Sequence, residues 1–236
     1  MAGIRQFRDR TDAGELLAGE LGDYARQDDA LVLALPRGGV PVGYVLAERL
    51  QLGLDILVVR KLGMPHHPEY AMGALGSGGV CVLQPGVPGA MGVTAADVDA
   101  VAARELAELE RRERTYRGTR APLRLNGLCA ILVDDGVATG ATMLAAIAVA
   151  RRLQPRELVL AVPVAPPETA AALAPHVDRL VCLTTPLRFR AVGEWYDTFD
   201  QTSDIEVQDL LAAAWNEWPW TRTNGGPNHE ADDDGH

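Results

Sequence analysis

The feature that most constrains the fold is the segment Cys129–Thr142, whose sequence is CAILVDDGVATGAT. Its apolar run Ala130–Val133 has the length of a buried strand in a parallel sheet. A turn of small residues follows, and a run rich in Ala and Leu then predicts a helix from Met143 to Leu153. This succession of strand, tight loop and helix is typical of α/β folds with a parallel sheet.

The loop of this segment predicts an anion-binding site. Backbone N–H groups converge where a small-residue loop opens into a helix, and the helix dipole adds positive charge there. Thr139 and Thr142 add hydroxyl donors, and Asp134 and Asp135 stand where open α/β sheets bind ligands. Phosphate beside two carboxylates suits a sugar phosphate, because vicinal hydroxyls can each donate to one carboxylate. The alternative is an ordinary turn whose acidic residues only cap the helix.

Two other phosphate-binding loops are excluded, because the chain contains neither GxxxxGK[ST] nor a GxGxxG after a strand. Instead, DDxxxTGxT behind ILV resembles the phosphoribosyl-pyrophosphate (PRPP) motif of type I phosphoribosyltransferases. The resemblance implies catalytic roles for Asp134 and Asp135, and Mg²⁺ as a cofactor that PRPP carries and that these carboxylates reach, in part through water. It also implies that the following loop residues hold the 5′-phosphate of PRPP: Gly136, Val137, Ala138, Thr139, Gly140, Ala141 and Thr142.

A second strand-to-helix turn, residues 36–39 (PRGG), follows the predicted strand Ala30–Leu35. Glycine lets backbone amides approach an anion closely, and a guanidinium presents donors that match phosphate oxygens. Alone, this string is typical of a simple turn. After the first strand it resembles the pyrophosphate loop of the same family. The resemblance implies that Arg37, Gly38 and Gly39 bind pyrophosphate, that Arg37 is catalytic, and that a strained or cis peptide lies between Pro36 and Gly38.

The cations Arg60 and Lys61 follow the next predicted strand, Leu54–Val59, and residues 62–79, with five glycines and two prolines, predict a long mobile loop. The resemblance implies a lid over the pyrophosphate, with Arg60 or a catalytic Lys61 reaching its oxygens, because water must be kept from the cationic ribosyl transition state. The alternative is two solvated cations at a strand end. Three loop side chains are candidates for a substrate contact, although loop histidines are commonly solvated: His66, His67 and Glu69.

The irregular, aromatic stretch 184–203 resembles the hood that covers the base in these enzymes. In relatives an aromatic residue ahead of a Val-Gly pair stacks on the base, and such stacking contributes about 1–3 kcal/mol. The candidate base-binding residues are Phe189, Val192, Trp195 and Tyr196. The alternative is that these side chains bury a flap against the sheet.

The residue before Thr139 bears on the acceptor. In 6-oxopurine phosphoribosyltransferases it is an aspartate that takes a proton from the base, whereas Ala138 stands here. The string is similar to the adenine type instead. Hypoxanthine and guanine are therefore disfavoured, unless Glu194, Asp197 or a loop histidine takes the place of that base.

Alternating strand and helix patterns predict an α/β fold, with a mainly parallel, Rossmann-like sheet flanked by helices. We expect a phosphoribosyltransferase-like domain over residues 1–215, with an inserted strand-helix segment at about 80–126, the hood at about 184–203, and a disordered tail at 216–236. Arginine and glutamate alternate along the inserted helix, which predicts a solvated, salt-bridged face. A polyanion-binding edge is the alternative.

From about Phe7 to Leu211 the chain resembles a less-characterised branch of predicted phosphoribosyltransferases, sometimes fused to esterase or hydrolase domains. The strings LPRGGVPVG, VRKLGMPHHPEYAMGAL and FDQTSD carry this likeness. It implies the fold and PRPP as the donor, and it leaves the acceptor open. We expect a glycosyltransferase of nucleotide metabolism that moves 5-phosphoribosyl from PRPP to a nitrogen acceptor, a nucleobase or related heterocycle, and releases pyrophosphate. The alternatives are a non-catalytic regulator that senses PRPP or a nucleotide, and an enzyme whose acceptor is water, an amine or a secondary metabolite.

Composition bears on partners and location. The net charge of −10 disfavours a broad nucleic-acid footprint. No apolar stretch approaches the ~20 residues of a membrane span, and the N-terminus lacks the apolar core of a signal peptide. We therefore expect a cytoplasmic protein whose partners are small molecules, with no nucleic acid and no membrane. The fold class also allows a homodimer.

Overall fold

The computed structural model describes residues 6–65, 67–84 and 86–217, in which strands and helices alternate through most of the chain. The strands are β1 Ala30–Ala34, β2 Gly53–Ile56, β3 Val59–Met64, β4 His67–Gly76, β5 Val80–Leu83, β6 Cys129–Val133, β7 Glu157–Val164 and β8 Arg179–Thr184. The helices are α1 Arg10–Glu20, α2 Gly39–Leu50, α3 Val87–Ala90, α4 Ala95–Arg117, α5 Ala141–Arg152, α6 Pro167–Leu173 and α7 Asp204–Glu217. Short 3₁₀ turns lie at Gly22–Tyr24, Ser77–Gly79, Ala174–His176 and Val192–Trp195.

Five strands form the main sheet, in the order β2-β1-β6-β7-β8, and each neighbouring pair is parallel. The chain runs from β1 outward to β2 and later returns on the other side of β1 with β6. Such a reversal opens a crevice at the carboxyl ends of β1 and β6, where α/β sheets bind ligands. The predicted parallel, helix-flanked sheet is thus confirmed, and its crevice lies between the two predicted phosphate loops.

Separate sets of helices cover the two faces of this sheet. In β1, Ala30, Val32 and Ala34 belong to the core shared with α1, α2, α4 and α7, whereas Leu31 and Leu33 belong to the core shared with α5 and α6. β6 and β7 alternate in the same way. Because successive strand residues point to opposite faces, a continuous apolar strand can fill two cores at once.

Residues 62–79 were expected to be a mobile loop, and this prediction is wrong, because most of them lie in strands. β3 pairs antiparallel with β4, which pairs antiparallel with β5. The glycines here permit close packing. A Cβ on Gly73 would lie 2.4 Å from the carbonyl oxygen of Val82, and one on Gly76 would lie 2.3 Å from Cγ1 of Val149 in α5. The result is a second, three-stranded sheet against α5.

The inserted helix α4 is anchored at its two ends. Thr94 and Asp97 form a capping box at its start, as their spacing predicts. At its end, Arg117 donates from Nε and Nη2 to the two carboxylate oxygens of Asp55 in β2, at 2.9 Å each. Both side chains are buried. This ion pair fixes the last turn of α4 over the edge of the main sheet.

Replacing Arg117 by Met tests that anchor. It leaves the Asp55 carboxylate buried without its partner, so we expect urea unfolding to show a loss of about 3–5 kcal/mol in the free energy of unfolding. Arg114→Met is the matched control, because Arg114 lies on the same helix with a side chain that is 67% exposed. The control should cost less than about 1 kcal/mol. Equal losses in the two variants would contradict this role of the buried pair.

The C-terminal helix α7 extends to Glu217, the last described residue, so residues 216 and 217, expected in the tail, are helical. The rest of the predicted tail, 218–236, lies outside the described residues. Within the described ranges, none of the helices has the length and apolar character needed to cross a membrane. The division into a domain at 1–215 with an insert and a hood stays a prediction.

Candidate active site

The two predicted phosphate loops touch each other at the crevice between β1 and β6. A Cβ on Gly39 would lie 2.7 Å from the carbonyl oxygen of Val133 and 2.9 Å from Cα of Asp134. A Cβ on Gly38 would lie 2.0 Å from Oδ2 of Asp135. The Pro36–Arg37 peptide bond is cis, within the predicted stretch. Only glycine leaves room for the two loops to meet this closely.

Alanine at these two glycines should have different effects. In Gly39→Ala the added methyl meets backbone atoms, which cannot rotate away, so we expect a loss of about 1–3 kcal/mol in the free energy of unfolding. In Gly38→Ala the methyl meets the Asp135 carboxylate, which can rotate away by loosening its hydrogen bonds from Arg10. Because no backbone atom has to move, the loss should be smaller. Urea denaturation of the two variants measures the difference, and a larger loss in Gly38→Ala would contradict the packing described here.

The loop between β6 and α5 is built to leave amides available. Gly140, with φ +77°, stands at the N-cap of α5 and offers no capping side chain, so the first-turn N–H groups lack that partner. Elsewhere the loop is tied down. The N–H of Val137 donates to the carbonyl of Val164 at 2.9 Å, and the Thr169 hydroxyl donates to the carbonyl of Ala138 at 2.8 Å. The predicted 5′-phosphate loop therefore has the geometry of an anion cradle.

The side chains of this loop are likewise divided into exposed ones and buried ones. Ala138, Thr139 and Thr142 are exposed, whereas Val137 is buried in the core. Gly136, with φ +155°, lies under the hood, since a Cβ there would come within 2.6 Å of Cγ1 of Val192. The exposed hydroxyls are available to a ligand, and the buried positions hold the loop in place.

The acidic pair is held by an arginine that the sequence analysis missed. Arg10, at the start of α1, donates from Nε and Nη2 to Oδ2 of Asp135, at 3.0 and 2.8 Å. It also donates to the carbonyl of Asp200 at 2.7 Å and lies 4.0 Å above the ring centroid of Phe199. The paired carboxylates predict some cationic partner, but no local pattern separates Arg10 from the other arginines.

The two carboxylates differ in their surroundings. Asp134 lines a cavity in the crevice, and its Oδ1 accepts from the N–H of Asp135 at 2.9 Å. Burial raises the pKa of Asp134 well above its usual range, and the charge of Asp135 raises it further. Burial also raises the pKa of Asp135, while the guanidinium of Arg10 opposes that shift. The protein thus concentrates negative charge where it is costly to keep, which is a property of functional sites.

Replacing Asp134 by Asn should stabilise the metal-free protein at neutral pH. Well below pH 4, the carboxyl is protonated in both the folded and the unfolded chain. As the pH rises, the unfolded chain ionises first, because the pKa is raised in the folded state, and the free energy of unfolding falls. Asn does not titrate and keeps an Oδ1 acceptor for the N–H of Asp135.

Urea titrations from pH 4 to pH 7, with a chelator present, measure this effect. We expect the free energy of unfolding of Asp134→Asn to exceed that of the original chain by an amount that grows with pH. A difference that stays constant across this range, or that favours the original chain at pH 7, would contradict the raised pKa.

The hood is joined to the N-terminal segment. Phe7 donates its N–H to the carbonyl of Trp195 at 2.8 Å, and its carbonyl accepts from the N–H of Asp197 at 2.8 Å. Phe189 and Trp195 are half-buried and pack against the cluster that contains Phe7. With Val192 above Gly136, these residues remain candidates for contact with a base.

Tyr196, an alternative candidate for stacking on the base, is instead part of the interior. Its side chain is 5% exposed, and its ring lies 4.9 Å from that of Phe199 and 5.3 Å from that of Phe7. Its hydroxyl donates to the carbonyl of Asp135 at 2.6 Å, and burial raises its pKa. Tyr196 therefore positions the acidic pair and has no ring face free for a ligand.

The crevice contains a cavity of about 360 Å³, called the main cavity below because both predicted phosphate loops line it. Arg37 and Asp134 line it from the two loops, and Thr142 lines it from the first turn of α5. The opposite wall comes from α4 and from the start of α7. The residues that line it are Leu35, Pro36, Arg37, Leu57, Val58, Val59, Arg111, Arg112, Thr115, Tyr116, Asp134, Thr142 and Asp204.

Arg60 and Lys61 lie in strand β3, so the prediction that they begin a mobile lid is wrong. The Nε of Arg60 donates to Glu105 of α4 at 2.6 Å, which ties this strand to the inserted helix. Both cations line an adjoining cavity of about 260 Å³, together with Arg112 and Thr142. Lys61 is exposed there. The two cations are thus beside the main cavity, on a regular part of the fold.

The other candidate side chains lie farther away or on the surface. His67 is exposed at the tip of the β3–β4 hairpin, and Met64, its partner across the hairpin, is about 16 Å along the strand from Val59 at the cavity. Glu194 and Asp197 are exposed on the hood. His66 and the side chain of Glu69 lie outside the described part of the chain.

The model of the phosphoribosyl transferase domain matches residues 8–194. Proteins of two Mycobacterium tuberculosis strains, CDC 1551 and H37Rv, each named "Putative phosphoribosyl transferase", are 47% identical over 211 residues, which is 89% of this chain and 47% of each relative. The chain thus spans about half the length of these curated relatives. The crystal structure of TT1426 from Thermus thermophilus is 41% identical, with a TM-score of 0.80 over 90% of this chain and 99% of that one.

Proposed function

Because the chain belongs to the phosphoribosyl transferase domain family, we propose that it moves 5-phosphoribosyl from PRPP to a nitrogen acceptor and releases pyrophosphate. One observation carries the proposal. Arg37 of one loop, Asp134 of the other and Thr142 of α5 line the same cavity. A donor with a pyrophosphate, a diol and a phosphate needs a guanidinium, a carboxylate and a hydroxyl-bearing loop side by side.

Each part of PRPP has a partner in this arrangement. The amides of residues 138–142 and the hydroxyls of Thr139 and Thr142 bind the 5′-phosphate, which the uncapped start of α5 favours. Asp134 and Asp135 accept from the ribose hydroxyls and stabilise the positive charge that develops on the ribosyl group. Since Arg10 occupies Oδ2 of Asp135, that carboxylate offers its Oδ1.

The pyrophosphate lies on the other side of the cavity. Arg37 and the amides of Gly38 and Gly39 bind it as it leaves, and a guanidinium matches its oxygens. Arg60 and Lys61 contribute positive charge from the adjoining cavity. Because Arg60 is paired with Glu105, Lys61 is the cation more available to the leaving group.

The residues present fit Mg²⁺ that arrives with PRPP. Among the residues that the structure describes, no group of three or more His, Cys, Asp and Glu side chains could hold a metal by itself. Mg²⁺ commonly binds one or two protein carboxylates together with substrate phosphates and water. Asp134 and Asp135 would hold the ion, in part through water, and the ion would neutralise charge on the leaving pyrophosphate.

The acceptor is proposed to be a planar heterocycle that enters beneath the hood. Phe189, Val192 and Trp195 supply apolar surface for it. Ala138 leaves the loop without the proton acceptor of the 6-oxopurine enzymes, which favours an acceptor that needs none there. Glu194 and Asp197, exposed on the hood, are the carboxylates that could take a proton from another acceptor. A cytoplasmic location and a homodimer stay predictions.

Donor binding tests the role of the acidic pair. Titration calorimetry should detect Mg²⁺-dependent binding of PRPP to the original chain and at least tenfold weaker binding to Asp134→Asn/Asp135→Asn. Asp209→Asn is the control, since it removes an exposed carboxylate on α7. Retained binding in the double variant would contradict the assigned role. A thermal melt should accompany the titration, because Asp134→Asn is expected to keep the fold.

Turnover distinguishes an enzyme from a regulator. The chain is incubated with PRPP, Mg²⁺ and a panel of nucleobases and other heterocycles, and pyrophosphate release and product mass are measured. Release with one acceptor, together with a ribosylated product, supports the transferase. Tight PRPP binding without release for any acceptor would favour the sensing regulator instead, and release in the absence of an acceptor would indicate water as the acceptor.

A further inference from the structure

The face of α4 that looks into the main cavity is rich in guanidinium groups. Arg111 and Arg112 line the cavity from α4, and Arg37 lines it from the loop after β1. The only carboxylates among the described lining residues are Asp134 and Asp204. The sequence predicts a solvated, salt-bridged face for this helix. The ion pairs are there, but this side of α4 also forms a wall of the crevice.

This wall is fixed to the rest of the protein. The Tyr116 hydroxyl donates to Oδ1 of Asp204 at 2.6 Å, and Arg37 lies 3.8 Å from the same oxygen. Two further ion pairs tie α4 to the sheets. Arg117 is paired with Asp55 of β2, and Glu105 is paired with Arg60 of β3. Contacts within the protein therefore hold the side chains of this wall near the cavity.

One carboxylate orients both arginines. Arg111 donates from Nε and Nη2 to Glu108, at 2.8 and 3.0 Å, and Arg112 donates from Nε to the same carboxylate at 2.9 Å. These two guanidiniums lower the pKa of Glu108 to about 2, so it stays ionised. A guanidinium has five N–H donors, and Glu108 occupies only part of each set. Two cations around one anion leave positive charge and free donors toward the cavity.

We infer that Arg111 and Arg112 form the outer half of the pyrophosphate site, opposite Arg37. The inference rests on the proposed transfer from PRPP and deepens it, by assigning the leaving group to the inserted helix. Pyrophosphate carries several negative charges and more acceptor oxygens than the loop at residues 36–39 can satisfy. Lys61 and Mg²⁺ supply part of what is missing, and the guanidiniums of α4 supply further donors from across the cavity.

Arg112 also borders the adjoining cavity, which it shares with Thr142. Since Thr142 belongs to the 5′-phosphate loop, the competing assignment is that Arg112 binds the 5′-phosphate. Ribose 5-phosphate carries only that phosphate, and pyrophosphate carries only the leaving group. Binding of these two probes, each with Mg²⁺, therefore separates the two assignments.

The test compares two double variants of the full chain by titration calorimetry. In Arg111→Gln/Arg112→Gln, affinity for Mg²⁺-pyrophosphate and for PRPP should fall at least tenfold, while affinity for ribose 5-phosphate stays within about twofold. Arg104→Gln/Arg114→Gln is the matched control. It removes the same charge from the same helix, at side chains that are 71% and 67% exposed. The control should bind all three ligands as the original chain does.

Each other outcome overturns the inference. Pyrophosphate affinity that is unchanged in Arg111→Gln/Arg112→Gln removes these arginines from the site, and an equal loss in the control reduces their effect to net charge. Loss of ribose 5-phosphate affinity assigns Arg112 to the 5′-phosphate. If circular dichroism shows that the double variant is unfolded, Arg111→Gln and Arg112→Gln are titrated singly, and a loss below threefold in both overturns it.

Failure of the inference and failure of the proposed function remain distinguishable. Full PRPP affinity in Arg111→Gln/Arg112→Gln, with loss in Asp134→Asn/Asp135→Asn, rejects the inference and keeps the function. The reverse pattern, with pyrophosphate bound through α4 but PRPP insensitive to the acidic pair, keeps the polyanion site and rejects the proposed role of the carboxylates. Absence of binding for every probe rejects both.

Discussion

The close contact between two loops determines what this protein can bind. β1 and β6 are neighbours in the sheet, so their carboxyl ends deliver a guanidinium and a carboxylate to one crevice. The contact itself is between the backbone at Gly39 and the backbone at Val133 and Asp134, with no room for a side chain. The spacing of the two loop backbones that carry Arg37 and Asp134 is therefore set by main-chain packing. Everything proposed for the cavity depends on that fixed spacing.

Arg10 links the first helix to two segments that are distant in sequence. It contacts the acidic pair through Asp135 and the end of the hood through Asp200 and Phe199. Tyr196 reinforces this link by donating to the carbonyl of Asp135. The hood, the first helix and the carboxylates therefore form one unit, and a change in any of them alters the electrostatic surroundings of the others.

Local signals predicted much of the fold and both loops of the candidate site, whereas features that depend on tertiary packing escaped prediction. β1, β6 and β7 are short apolar runs between turn residues, so residues close together in the sequence are enough to predict these strands. β3 and β4 were missed, because Gly73 and Gly76 serve contacts with β5 and α5 that sequence spacing does not display. Likewise, Arg10 meets Asp135 across 125 positions of the chain. Arg111 faces the cavity only because α4 is held over the sheet edge.

The walls of the cleft, a sheet edge and a helix tied to it, are held in place by contacts within the protein itself. The mutual repulsion of its gathered cations, and the desolvation of its buried acid, are then present from the moment the chain folds. Such a protein is less stable without its ligand than its core alone would make it. A polyanion that binds together with its metal cation offsets both the repulsion and the desolvation, so these unfavourable terms of the unliganded protein add to the binding affinity.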